Sequence, residues 1–460
     1  MGRVVDPVDS KANVDHPQTD DQEAQKELDA GALFVLKSKG SWWHCGYHLT
    51  TSVVAPPLLS LPFAFAFLGW AAGISCLVVG AVVTFYNYNL MSLVLERNAQ
   101  NGRRLLRFRD MATHILGRRW GKYYVGPIQL LICYGAVIGN TLLGGQCLKT
   151  IYMLSNPNGD MRLYEFVGML GLVTLVLAQI PSFHSLRHVN LVSLVLSLSY
   201  SACATAGSIY IGVSSKGPKK DYSVSGDKET RTFGIFNAVA IIATTYGNGI
   251  IPEIQATLAP PVKGKMLKGL CICYVVATAT FFSVAISGYW AFGNKSKAII
   301  LSNFTATSHD NNNYFLVPKA FVLITNLFAI LQLSTVAVVY MQPINELLER
   351  RFGDPKSEEF STRNVIPRVL SRSLSVAVAT ALAAILPFYG DMAALIGAIG
   401  FMPLDFVLPV VFFNLTFKPS KRSVVFWLNV GIAVVFSIVG IIATIAAVRQ
   451  IILDAKTYRL

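Results

Sequence analysis

Charge is scarce in this 460-residue chain: Asp, Glu, Lys and Arg together supply 14% of it, against 53% hydrophobic residues. Soluble globular domains carry about 25% charged residues. With a mean hydropathy of +0.50, the deficit excludes an ordinary soluble domain and places the chain in a bilayer. Acidic residues are scarcer than basic ones and the net charge is +14. The basic residues crowd into particular loops, the bias that orients a multi-span protein, so no nucleic-acid partner is expected. Cysteine is scarce too, and the seven lie almost wholly within apolar segments, where Cys acts as a small hydrophobe. Cys271 and Cys273 have neither zinc spacing nor a partnering His or Cys pair. Clustered His, Asp, Glu and Cys are missing from the apolar segments, so no enzyme, metal or cofactor is expected. Residues 1–39 lack an apolar run ending at a small-residue cleavage site. They read as a polar cytoplasmic tail, with the acidic run Asp20–Asp21–Gln22–Glu23 in it.

Long apolar runs, by contrast, fill the rest. About eleven reach spanning length, near 46–67, 72–95, 123–147, 163–181, 190–213, 234–258, 269–292, 318–341, 368–386, 392–414 and 423–448. The expectation is an all-α integral membrane protein with a transporter domain over 40–460. With the N-terminus cytoplasmic, the inner segments hold about twice the Lys and Arg of the outer ones. The loop 214–233, with Lys216, Lys219, Lys220, Lys228 and Arg231, runs against that trend. The sequon Asn303–Phe304–Thr305 then lies outside and Asn414–Leu415–Thr416 inside. Eight basic residues between Arg97 and Lys122 read first as topology anchors and second as contacts for anionic lipid.

Two spans are interrupted. The first, HLTTSVVAPPLLSLPFAFAFLGW from His48 to Trp70, carries Pro56–Pro57 at its middle. Adjacent prolines remove two N–H donors and clash with the preceding turn, and such a break is tolerated only where it lines a cavity. The sixth, FNAVAIIATTYGNGIIPEIQATL from Phe236 to Leu258, is broken at Gly247–Asn248–Gly249 and again at Pro252. Breaks five spans apart suit two inverted five-span halves, 46–213 and 234–414, with 423–448 added, and mark a mid-membrane substrate site.

A broken helix offers N–H donors for a carboxylate and carbonyls for an amine. Pro56 and Pro57 have no N–H, so at the Ala55 break the candidate donors are Leu58, Leu59 and Ser60. At the other break they are Asn248, Gly249 and Ile250, with Tyr246 placed to close over a ligand. Ionisable residues inside spans are functional candidates by default. Glu253, one turn past the sixth-span break, and Asp405, between Pro403 and Pro409, are the candidate proton carriers. Asp391 and Glu165 sit at span ends, where water is the simpler partner. Gly135 and Gly139 have the spacing of close helix packing.

SLP with FAFAFLGW at Ser60 to Trp70, EIQAT at Glu253 to Thr257 followed by Pro260–Pro261, and LIGAIGFMPLDFVLP at Leu395 to Pro409 resemble the amino acid/auxin permease family. VVAPPLLSLPFAF and ATTYGNGIIPEIQATLAPPVKGKM resemble its plant γ-aminobutyrate (GABA) transporters. The resemblance implies a leucine-transporter-like fold, alternating access, and proton-driven symport of small zwitterions into the cytosol across the plasma membrane. Neutral amino acids, proline or auxin are the alternative substrates, and a non-transporting sensor the alternative role. It also implies that the third span, with Tyr134 and Asn140, faces the site. A sodium-coupled version would draw on Ser334 and Thr335 in the eighth span. Most members have a Gly-Ala-Gly type stretch where this chain has Ala55–Pro56–Pro57, so their cradle for an α-amino acid is not expected here.

Overall fold

The computed structural model describes residues 41–457, apart from 158, 180–185, 216, 225–226, 259–261, 263, 308–312, 353–360 and 387. The expected tail 1–39 and Pro260–Pro261 lie outside the described residues.

Among the described residues, nine helices are long and apolar enough to cross a membrane, and Leu163–Ala178 is a shorter apolar one. The first of the nine, Pro56–Gln100, holds two spans, because Gly69 at φ 73° and ψ −179° turns the chain between them. Only glycine adopts that conformation readily. Counted this way the described residues hold eleven spans. The first consists of Trp42–Val53, a 3-10 turn Pro56–Ser60 and the helix up to Leu68; the second runs from Trp70 to Gln100. The third is Gly126–Ser155 and the fourth Leu163–Ala178. Next come Leu186–Val213, then Lys228–Tyr246 with Ile251–Ala256, and Lys265–Phe292 as the seventh. Lys319–Phe352 and Thr362–Ile385 are the eighth and ninth. The tenth is continuous from Tyr389 to Phe417 and the last is Val424–Thr457. One departure from all-helical architecture is a two-stranded antiparallel pair, Thr305–Thr307 with Asn313–Phe315, in the loop after the seventh span.

Large apolar side chains such as Leu172, Val176, Val434, Val435 and Ile438 point outward, which only a hydrocarbon environment tolerates over whole helices. The third span packs along the eighth, and the broken sixth lies between the second, tenth and eleventh. All seven cysteines are free, and Cys45, Cys133, Cys147 and Cys273 are buried among apolar neighbours. Arg372, in the ninth span, is buried and donates to the Ala178 carbonyl at 2.9 Å, capping the C-terminus of the fourth span.

Candidate functional site

Both breaks follow from local chemistry. Ala55, ahead of a proline, is held extended at φ −110° and ψ 165°. Pro56 then opens a 3-10 turn in which the Leu58 N–H donates to the Ala55 carbonyl at 3.2 Å. The turn closes each N–H onto the third residue back, so Leu58, Leu59 and Ser60 have their amides committed to it. The Ser60 hydroxyl donates to Ala298 at 2.6 Å, tying this half-helix to the loop after the seventh span. In that loop, burial holds the Lys297 ammonium below the usual lysine range while its Nζ donates to Ser302 at 3.0 Å.

In the sixth span, Gly247 leaves the helix in an extended conformation, Gly249 takes φ +67°, and Pro252 lies in the first turn of the second half-helix. The freed N–H groups are not open to a ligand here. Asp405, fully buried in the tenth span, accepts from the Asn248 amide through Oδ2 at 3.1 Å and from Gly249 through Oδ1 at 3.3 Å. Asp405 reaches the break from a stretch, Gly397–Val407, wound as a wide π-type helix with Pro403 inside it. Wide turns leave carbonyls unpaired; Asn87 Nδ2 takes those of Asp405 and Phe406 at 2.8 and 2.9 Å. Tyr88 donates to the Tyr246 carbonyl at 2.9 Å, and Asn248 Nδ2 to Ser52 at 2.7 Å, which links the two broken spans.

Glu253 is buried at 5% exposure. Its Oε1 accepts from Gln129 Nε2 at 2.8 Å and from the Phe108 amide at 3.2 Å, while Gln129 also donates to Gly249 at 3.2 Å. Arg104 donates to the carbonyls of Ala256 and Leu258 at 2.9 and 3.2 Å. The basic stretch after the second span therefore grips the second half of the sixth, a role that the reading as topology anchors did not contain.

Between the breaks lies a narrow cavity, with about 50 Å³ of room for the centres of water-sized spheres. That is enough for a few waters or a compact ligand. Ala55, Pro56, Pro57 and Gly247 contribute to its wall, as do Asn140, Thr244, Tyr340, Tyr389 and Phe401. Gly135 and Gly139 line it as well: Ile396 Cδ1 lies 2.6 Å from where a side chain on Gly135 would begin, and Tyr389 lies 3.5 Å from that point on Gly139.

Several expected residues stand elsewhere. Tyr246 turns its ring away from the ligand position, onto Phe281 at 5.0 Å and against Gly80. Tyr134 donates to the Ser375 carbonyl of the ninth span at 2.7 Å. Leu58, Leu59, Ser60, Asn248, Gly249 and Ile250 sit behind the wall that Ala55–Pro57 and Gly247 form. Ser334 and Thr335 bond back to Ile330 and Leu331 in their own helix, at 2.9 and 3.0 Å. Asp391, read as solvated, is 8% exposed and lies beside Asp454 of the last span. Gln129, Asn87, Tyr340, Tyr389 and Phe401 were not among the expected residues. A polar residue on an apolar helix was the available signal for the first two; the aromatic ones have none.

The description "Transmembrane amino acid transporter protein" matches residues 38–453. The chain is 65% identical over 440 residues to GABA transporter 1 of Arabidopsis thaliana, covering 96% of this chain and 97% of that one. It is 29% identical to lysine histidine transporter-like 1 of the same plant, covering 99% and 97%. Among solved structures, a Na+-coupled sialic acid symporter in a substrate-bound outward-open state shares the fold at a TM-score of 0.54 and 13% identity, over 95% of this chain and 93% of that one.

Proposed function

The chain belongs to the transmembrane amino acid transporter family, and on that premise we propose that it is a proton-coupled symporter of GABA and related small zwitterions. The observation that carries this is the cavity bounded by both broken spans, with the two prolines of the first in its wall. Two rings replace backbone donors there, which suits a ligand whose amine and carboxylate are separated. The similarity to a transporter named for GABA points the same way.

For the coupling ion, the support is Glu253 and Asp405, buried carboxyls at the two ends of the sixth-span break. Protonating Asp405 turns one of the two acceptor oxygens that hold the break into a donor, and Glu253 reaches the break through Gln129, which also donates to the Gly249 carbonyl. Sodium has less support: Ser334 and Thr335 donate to Ile330 and Leu331 and keep lone pairs for a cation, but neither lines the cavity. The orientation proposed is N-terminus in the cytosol, in the plasma membrane, with uptake into the cell by alternating access.

Labelled GABA uptake in transport-deficient cells, across external pH and with sodium present or replaced, tests this. Flux that rises as pH falls and ignores sodium is expected. Sodium-dependent flux, or preference for proline, neutral amino acids or auxin in competition, overturns the corresponding part. Binding without flux in proteoliposomes would identify a sensor.

A further inference from the structure

The cavity has unequal ends. On the third span, Ile132 lies 3.6 Å from where a side chain on Gly249 would begin, and Tyr389 packs against Gly139. Ile132 and Gly249 lie just beyond the wall, whose third-span residues run from Gly135 to Asn140.

At the Gly139 level the polar groups are side chains. Asn140 is 5% exposed, faces the cavity and has no hydrogen-bond partner among the described residues. Tyr389 is equally buried, and its hydroxyl is likewise unpartnered among them. A buried polar group without a partner is costly, so both groups favour a ligand that bonds to them. An Asn amide and a phenol together supply three N–H or O–H donors, a set suited to a carboxylate.

At the break, the balance is reversed. The amides of Asn248 and Gly249 are taken by Asp405, leaving a negative charge behind Gly247 and Phe401. Thr244 and Gly247, both in the wall, belong to the last turn of a half-helix whose terminal carbonyls outnumber its own donors. Among the described residues, Tyr88, Tyr274, Tyr340 and Glu253 act on Asp405, and the Arg107 cation acts on Glu253. Carbonyls in front of a buried carboxylate suit an ammonium.

We propose that Asn140 and Tyr389 bind the substrate's carboxylate, and that the sixth-span break, with Asp405 behind it, binds its ammonium, so the cavity selects amino acids whose charges are held apart. This rests on the cavity being the transport site. The two groups thus meet the ligand at different places along the wall, Asn140 and Tyr389 at one and Thr244 and Gly247 at the other. Four bonds between nitrogen and carboxyl carbon span roughly 5 Å, and the two bonds of an α-amino acid roughly 2.5 Å.

The test is equilibrium binding to the purified protein of four probes: GABA, 4-aminobutanamide (no carboxylate), butyrate (no amine) and alanine. Wild type should bind GABA most tightly. Asn140→Ala and Tyr389→Phe should weaken GABA about tenfold while changing 4-aminobutanamide less than threefold; Tyr389→Phe removes one oxygen and serves if Asn140→Ala fails to fold. Asp405→Asn should weaken GABA and 4-aminobutanamide together and leave butyrate unchanged. Equal loss of GABA and its amide in both Asn140→Ala and Tyr389→Phe, or no loss in either, overturns the assignment. If wild type binds alanine in preference to GABA, the substrate reading and the charge-separation claim both fail. Alanine against alaninamide in the same variants then decides separately whether Asn140 and Tyr389 hold a carboxylate.

Discussion

Asp405 Oδ2 and the Asn248 amide nitrogen are 3.1 Å apart, so a side chain of the tenth span caps the break in the sixth. The carboxylate occupies donors that a substrate would otherwise meet, and helix position thereby depends on one buried acid.

Removing that acid orphans two amides in a buried site. Asp405→Ala should therefore cost several kcal/mol, taking about 1–3 for each buried donor left unpaired. Asp405→Asn, which keeps one acceptor oxygen, should lose less. Melting of the detergent-purified proteins checks the order; an Ala variant as stable as wild type removes the capping role.

Glu253→Gln keeps the hydrogen-bonding shape around Gln129 and Phe108 and abolishes the titration. If Glu253 carries the proton, this variant should exchange GABA across proteoliposomes yet fail to concentrate it under a pH gradient. Wild type would gain up to about tenfold per pH unit for each proton coupled. Concentrative uptake by the variant at the wild-type level assigns the proton elsewhere.

Gly247 has no room for a side chain, because a Cβ there would overlap the Phe401 ring. Gly247→Ala should reduce GABA uptake at least tenfold at equal surface level. Gly168→Ala, where nothing lies within 4 Å, is the matched control and should be silent.

Pro56→Gly with Pro57→Gly restores two N–H donors to the cavity wall and removes two rings. Competition by a panel of amino acids should shift toward α-amino acids in this variant. An unchanged ranking argues that the prolines only shape the helix.

Asn303 is buried; its Nδ2, the atom that a glycan would occupy, donates to Lys295 at 2.9 Å, and its Oδ1 accepts from the Lys297 amide at 2.8 Å. The sequon should therefore be unused, and Asn303→Gln should leave gel mobility and glycosidase sensitivity unchanged while loosening the loop.

Spans, breaks and the approximate limits of each helix were legible in the chain because they depend on local quantities: apolar length, missing N–H groups, glycine freedom. The same residues also located the cavity to within a few positions, since Ala55–Pro57 and Gly247 line it. Which donors remained available was not legible. Leu58 to Ser60 read as open amides until the 3-10 turn consumed them, and Asn248 and Gly249 until Asp405, 157 and 156 positions later in the chain, covered them. Tyr246 has the right spacing for a gate, yet its ring direction depends on Gly80 and Phe281 in other spans.

The sequence by itself determined that this is a multi-span helical membrane protein with two interrupted helices, because membrane insertion and backbone breaks are decided within twenty residues. Tertiary structure decided which groups face the ligand. A buried donor is satisfied by whatever acceptor packing brings near it, so only the assembled helices show that Asp405 closes one set of donors and that Asn140 and Tyr389 leave another open.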